Sequence, residues 1–171
     1  MLPPAHRVEL KRFQRDTATV KVDWSLDGPI PWTHPEAREA GTVHLTEGLD
    51  ALSAATAAIN RGRIPSEPFL LLGQYARYDP GRAPEGKEVA WAYTHVPQGA
   101  FTEEHAGAFA DLMEEQVERV APGFRALVRR RHVFTPASLE AADRNLAGGA
   151  LNGGTAQIHQ QLVFRPTPGT G

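Results

Sequence analysis

The chain has 171 residues, a formal net charge of -2 and no cysteine. A chain of this length can bury one core, so we predict a single domain over residues 1–171. Without a basic excess nucleic acid is not expected as a partner, and without cysteine there are no disulfides, thiolate metal sites or cysteine nucleophiles.

The first half of the chain predicts two strands and a helix. Residues 17–26 alternate apolar and polar side chains and predict a half-buried strand, after which the prolines of "DGPIPWTHP" predict a rigid loop. A short strand at 41–45 precedes a helix that Thr46 can cap and Gly62 can end. The apolar stripe predicted for this helix is Leu49, Leu52, Thr56 and Ile59.

The apolar run at 67–77 predicts a strand covered on both faces, paired antiparallel with the alternating strand at 88–96. Thr102 can cap the longest helix, which ends at Pro122-Gly123. Its predicted buried stripe is Ala106, Phe109, Ala110, Met113, Val117 and Val120, and its glutamates Glu103, Glu104, Glu114 and Glu115 are predicted to form a solvated face.

The remaining elements complete an α+β fold. Residues 125–134 predict a helical turn and a short strand, and Thr135 caps a further helix with Pro136 at its first position. The segment "IHQQLVF" at 158–164 predicts a last strand. We therefore expect a mainly antiparallel sheet with helices packed on one face.

Familiar catalytic patterns are missing from the sequence. The seven histidines show no H-x-x-x-H or H-E-x-x-H spacing, so no metal site is predicted, and no serine lies in a G-x-S-x-G turn. The glycine pairs in "GGALNGG" follow a predicted helix and precede a predicted strand, which is not the order or spacing of a dinucleotide-binding loop. They serve either tight turns without a ligand or close approach of another backbone.

Several segments together resemble the phytoene desaturase-related FAD-dependent oxidoreductases. They are "KVDWSLDGPIPWTHPEAREAGTVHL", "GRIPSEPFLLLGQYARYDPGRAPEGKEVAWAYTHVP", "VERVAPGFRALVRRRHVFTP" and "NLAGGALNGGTAQIHQQLVFRP", which cover most of residues 20–166 in the family's order. One departure is that relatives usually carry Gly-Gly-Asp where this chain has Gly148-Gly149-Ala150.

The resemblance implies the substrate-binding domain of a flavoprotein that passes a hydride from an apolar substrate to FAD. The FAD-binding segments of such enzymes have no counterpart in this sequence, so the chain alone is expected to be inactive and to bind no FAD. Its partners would be the FAD-binding domain of the same protein and the apolar substrate. The competing hypothesis is a non-enzymatic module that binds a hydrophobic ligand or another protein.

The resemblance identifies no catalytic residue, but it directs attention to two groups. Aromatic side chains at strand spacing are candidates to line the substrate pocket on one sheet face, or else are plain core: Trp24, Trp32, Trp91 and Tyr93. The domain-interface or flavin-side loop would contain Gly148, Gly149, Gly153, Gly154 and Arg165. We also expect a homodimer formed through the C-terminal segment, in the cytoplasm or peripheral to a membrane.

Overall fold

Five strands form one antiparallel sheet in the computed structural model, which describes residues 2–162 and 167. The strands are β1 (Ala18–Leu26), β2 (Thr42–Leu45), β3 (Leu70–Gln74), β4 (Glu88–Val96) and β5 (Val128–Phe134). Their order across the sheet is β2-β3-β4-β1-β5, and every neighbouring pair is antiparallel. The predicted α+β class and the predicted pairing of β3 with β4 are confirmed.

Helices of different lengths connect and cover these strands. They are α1 (Pro4–Arg12), α2 (Pro35–Glu39), α3 (Leu49–Asn60), α4 (Glu103–Val120), α5 (Phe124–Leu127), α6 (Pro136–Ala142) and α7 (Ile158–Leu162). Among the described residues, none of these helices is both long enough and apolar enough to cross a bilayer. The sequence pattern missed α1 and α2, which bury no residue fully.

The main core lies between one face of the sheet and α4. Along β1 the side chains of Val20, Val22, Trp24 and Leu26 are buried, and they pack in one cluster with residues of β3, β4 and α4. Helix α4 begins as predicted at Thr102, whose backbone N–H donates to His105 Nδ1 at 3.1 Å. The predicted stripe of α4 is buried from Phe109 to Val117, whereas Val120 is 41% exposed.

Four sequence predictions are wrong in detail. Helix α3 begins at Leu49 after Gly48, and Thr46 makes a hydrogen bond to the Gly48 carbonyl instead of capping it. Its buried residue is Ala55, while Leu49, on the predicted apolar stripe, is 81% exposed. Glu114 does not belong to a solvated face, because only 6% of it is exposed.

The fourth error concerns the C-terminal segment, where residues 158–162 form helix α7 instead of a strand. Gln160 fixes this helix: its amide oxygen accepts from the Gln14 backbone N–H at 2.8 Å, and its amide nitrogen donates to the Gln14 carbonyl at 2.7 Å. Ile158 and Leu162 are left 77% and 79% exposed. Edge pairing through a strand here is therefore no longer a basis for a dimer, and the other residues of that segment, 163 and 164, lie outside the described part of the chain.

Glu118 binds the backbone that follows the C-terminal end of α4, and this contact makes the stability of the protein depend on pH. Its carboxylate accepts from the backbone N–H groups of Arg125 at 2.8 Å and Gly123 at 2.7 Å, and these bonds hold the pKa of Glu118 below its ordinary value. A lowered carboxyl pKa contributes stability at pH values above the unfolded pKa, and this contribution is lost as the pH falls through the folded pKa.

We expect Glu118→Gln to weaken the acid dependence of stability. Urea midpoints measured between about pH 7 and about pH 3 should fall less steeply for this variant than for the wild type. Glu85→Gln, at an exposed loop position, is the control and should keep the wild-type slope. Equal slopes for all three proteins would contradict the role assigned to the Glu118 carboxylate.

Candidate functional site

The sheet face opposite the main core carries aromatic and charged side chains. On β4 the residues Val89, Trp91, Tyr93 and His95 are half-buried, while the alternate residues are buried against the core. The antiparallel register places Trp91 beside Asp23 and Tyr93 beside Lys21. We call this surface, made by Trp91, Tyr93 and their cross-strand neighbours, the open face.

The aromatic rings of the open face form a continuous row. Trp91 and Tyr93 stack with their ring centroids 6.0 Å apart and an interplanar angle of 9°. Tyr75 meets Trp91 at 5.9 Å, and His95 meets Tyr93 at 5.7 Å. We call Tyr75, Trp91, Tyr93 and His95 the aromatic row; it offers flat apolar surface that a ligand can contact.

Gly73 of the neighbouring strand β3 allows Trp91 to lie flat on the sheet. A Cβ atom at Gly73 would lie 2.5 Å from Trp91 Cε2, closer than two carbon atoms can approach. The glycine therefore sits beneath the indole ring, where a side chain would push the ring away from the sheet. This contact sets the orientation of the central ring of the aromatic row.

Lys21 and Asp23 bring charge into the middle of the open face. Lys21 Nζ lies 5.0 Å from the centroid of the Phe134 ring and 5.9 Å from that of Trp91, distances typical of cation–π contacts. The same ammonium group forms an ion pair with Asp23. Lys21 and Asp23, together with Tyr75 and Trp91 of the aromatic row, border a cleft of about 520 Å³, which is within the usual size of small-molecule sites.

Two of the four predicted pocket residues have their side chains in the core, although Trp24 also borders the cleft from β1. Trp24 and Trp32 are each only 2% exposed and belong to the core on the other side of the sheet. Trp24 meets the Phe124 ring edge-on at 5.4 Å. The four side chains thus do not share one sheet face, and a substrate-binding role stays a prediction for Trp91 and Tyr93.

Both core tryptophans depend on a buried polar partner that the sequence pattern did not reveal. Trp24 Nε1 donates to Glu114 Oε1 at 2.9 Å, and the same oxygen also accepts a hydrogen bond from Arg131 Nη1 at 3.2 Å. Trp32 Nε1 donates to Gln74 Oε1 at 2.8 Å. The hydrogen bonds of Arg131 with Asp111 and Glu114 raise the pKa of its guanidinium, so this arginine is fully charged.

The glycine loop folds back on the segment that leads into β1. Asp16 N–H donates to the Gly153 carbonyl at 3.1 Å, and Thr155 N–H donates to the Gln14 carbonyl at 3.0 Å. Gly154 sits against the Phe13 ring, where a Cβ atom would collide with it. The close contact that the glycines allow is thus made with the segment of this chain that precedes β1.

The four glycine N–H groups of the loop all donate within the chain. The N–H groups of Gly149, Gly153 and Gly154 donate to backbone carbonyls at 2.7, 3.3 and 2.8 Å. Gly148 N–H donates to Glu140 Oε2 at 3.0 Å. The glycines therefore do not offer the run of free N–H donors that binds a pyrophosphate such as that of FAD. Arg165, the remaining residue predicted for this loop, lies outside the described residues.

The departure from the family pattern, alanine in place of the aspartate that relatives carry after the glycine pair, lies in the interior. Ala150 occupies that position and is completely buried. A carboxylate at this position would need hydrogen-bond donors in the interior. Across the described ranges, no three histidine, aspartate or glutamate side chains come together as a metal site.

Comparison with known proteins gives distant relatives. The chain is 28% identical to the pyridine nucleotide-disulfide oxidoreductase domain-containing protein 2 of Mus musculus and to that of Rattus norvegicus, in alignments covering 98% of this chain and 31% of each relative. It thus spans about a third of the length of these relatives. No protein-family model matches the chain.

A solved structure of an oxidoreductase from Methanosarcina mazei is also similar, with 14% sequence identity and a TM-score of 0.38 over 77% of this chain and 25% of that one.

Proposed function

We propose that this chain is the substrate-binding domain of an FAD-dependent oxidoreductase related to the phytoene desaturases, and that its open face forms one wall of the substrate cavity. The mouse and rat relatives, whose names include an oxidoreductase domain, support the general class of activity. The observation that carries the proposal is the half-buried aromatic row beside a cleft of about 520 Å³.

The composition of the open face suits an apolar, unsaturated substrate. A flat hydrocarbon chain can lie along Trp91 and Tyr93 and remove their exposed ring surface from water, which favours binding. In the complete enzyme FAD would accept a hydride from that substrate. Because the glycine N–H groups of the loop are already engaged, we assign the FAD site to the FAD-binding domain of the full-length protein.

The role of Trp91 can be tested with the methyl ester of parinaric acid, an uncharged polyene whose fluorescence rises in an apolar site. We expect the wild-type chain to bind it saturably, and Trp91→Ala to weaken binding about tenfold because the central ring contact is lost. Leu49→Ala removes a large apolar side chain that is 81% exposed on α3, and it should leave binding unchanged.

The two variants also separate binding from folding. Trp91 is half-buried, so its removal should cost less stability than removal of a core tryptophan. An unchanged ester affinity in Trp91→Ala, or an equal loss in Leu49→Ala, would contradict the assignment of the open face as the substrate site.

A further inference from the structure

The row of side chains next to Trp91 contains a basic residue without an acidic partner. In the antiparallel register Ser25 lies between Val89 of β4 and Arg130 of β5. Within residues 2–162, no carboxylate lies within ion-pair distance of Arg130. Its exposed guanidinium lies at the border of the cleft that Trp91 and Tyr75 also line.

The other basic groups at this end of the open face are already paired. Lys21 pairs with Asp23, Arg82 with Asp79 at 2.9 Å, and Asp27 is shared by Lys87 at 2.9 Å and Arg129 at 3.3 Å. The hydrogen bond from Lys87 and the charge of Arg129 hold the pKa of Asp27 below its ordinary value.

Basic groups therefore outnumber the carboxylates that face the same side. Glu88 does not change this balance, because it alternates with Val89 and Trp91 and lies on the other face of β4. Its carboxylate accepts from the backbone N–H groups of Ala76 at 3.1 Å and Val89 at 3.0 Å. Asp111 and Glu114 lie on α4, on the other side of the sheet, and bind Arg131. The remaining positive charge on the open face favours an anionic ligand group.

The spacing between Arg130 and the aromatic row suits an elongated ligand. Trp91 and Arg130 lie on strands separated by β1 and are one row apart, so their Cα atoms are about 12 Å from each other. A guanidinium presents two parallel N–H donors that match a carboxylate, and Ser25 is the direct cross-strand neighbour of Arg130. An extended chain can therefore place its body on the rings and its terminal group at Arg130.

We propose that the substrate is an unsaturated or aromatic hydrocarbon with a terminal anionic group, such as a carboxylate, which Arg130 anchors together with Ser25. This inference rests on the proposed function of the open face and adds the chemical class of the substrate. Arg130 is a positioning and specificity-determining residue in this arrangement, since it holds the substrate end remote from the aromatic row.

The test compares parinaric acid with its methyl ester, which share the polyene and differ in charge. The wild-type chain should bind the acid about tenfold more tightly than the ester, because a charge-assisted bidentate contact is available only to the acid. Arg130→Gln should abolish this preference while changing ester binding less than twofold. Arg129→Gln, at the neighbouring residue that pairs with Asp27, is the matched control and should retain the preference.

Each outcome has a separate meaning. Equal affinities of the wild type for acid and ester overturn this inference and leave the proposed function in place, whereas no saturable binding of either probe overturns both. A loss of acid and ester binding to the same extent in Arg130→Gln assigns the arginine a structural role and also overturns the inference. Higher salt should reduce the preference for the acid, since the contact is exposed.

Discussion

Replacing Gln74 by alanine should lower the free energy of unfolding by about 3–5 kcal/mol, which is a large loss for a single substitution. The Gln74 side chain accepts from Trp32 Nε1 at 2.8 Å and donates to the carbonyls of Ala37 and Ala40 at 2.7 and 2.8 Å. Only 6% of Gln74 is exposed, so water cannot replace all three bonds. Urea unfolding followed by circular dichroism measures the loss.

Two further variants show whether the hydrogen bonds cause this loss. Gln98→Ala removes an exposed glutamine with one bond to the Asp16 carbonyl, at 2.7 Å, and should cost no more than about 1 kcal/mol. Gln74→Glu keeps an acceptor for Trp32 but loses both donors and places a charge in the interior, so it should be at least as destabilising as Gln74→Ala. A cost below about 1 kcal/mol for Gln74→Ala would show that the surrounding loop satisfies its own polar groups.

The second large effect is expected at Gly149, where alanine should cost about 3 kcal/mol or more. Gly149 has φ +74°, and an added Cβ would lie 2.6 Å from Pro136 Cα. A left-handed backbone is unfavourable for alanine, and the collision is with the backbone of α6, which cannot move aside like a flexible side chain.

Gly153→Ala provides the matched control in the same loop. Gly153 has φ +72°, but a Cβ there would meet no atom within 4 Å. This variant should therefore cost only the backbone term, about 1–2 kcal/mol, in the same urea experiment. Equal losses at both positions would mean that α6 shifts easily and that the contact with Pro136 does not limit the loop.

The strands with regular alternation could be predicted from sequence because their polar and apolar faces are distinct. In β1 the residues from Val20 to Leu26 are buried at alternate positions, as the pattern indicated. The caps at Thr102 and Thr135 similarly marked the starts of α4 and α6. These are local signals, which can be recognised without knowing the distant residues that each element contacts.

The positions of the aromatic residues could not be predicted, because β4 is apolar on both faces. The larger residues Trp91 and Tyr93 look like the core set, yet Ala90 and Ala92 are the ones that are 3% and 0% exposed. The register with β1 decides the matter by placing Trp91 beside Asp23 and Ala92 beside Val22. Register depends on pairing across the sheet and is not encoded in a single strand.

Long-range polar contacts explain the remaining errors. Glu114 has the sequence context of a solvated helix face, but Trp24 from a distant strand supplies its buried partner. In the C-terminal segment, Ile158 and Leu162 fit both a strand pattern and helical i, i+4 spacing. In the fold the segment is a helix, and Gln160 in this helix makes hydrogen bonds to the backbone of Gln14, which is 146 residues away. A local pattern in the sequence does not reveal these bonds.

The separation of the three tryptophans onto two sides of the sheet gives the chain two optical reporters. Trp24 and Trp32 are shielded and hydrogen-bonded, so their emission should be blue-shifted and insensitive to a soluble quencher. Trp91 is half-buried and stacked on Tyr93, so its emission should lie at longer wavelength and be quenched by acrylamide. Trp91→Phe would then leave a fluorescence signal that follows unfolding alone, while the difference between wild type and variant would follow events on the open face.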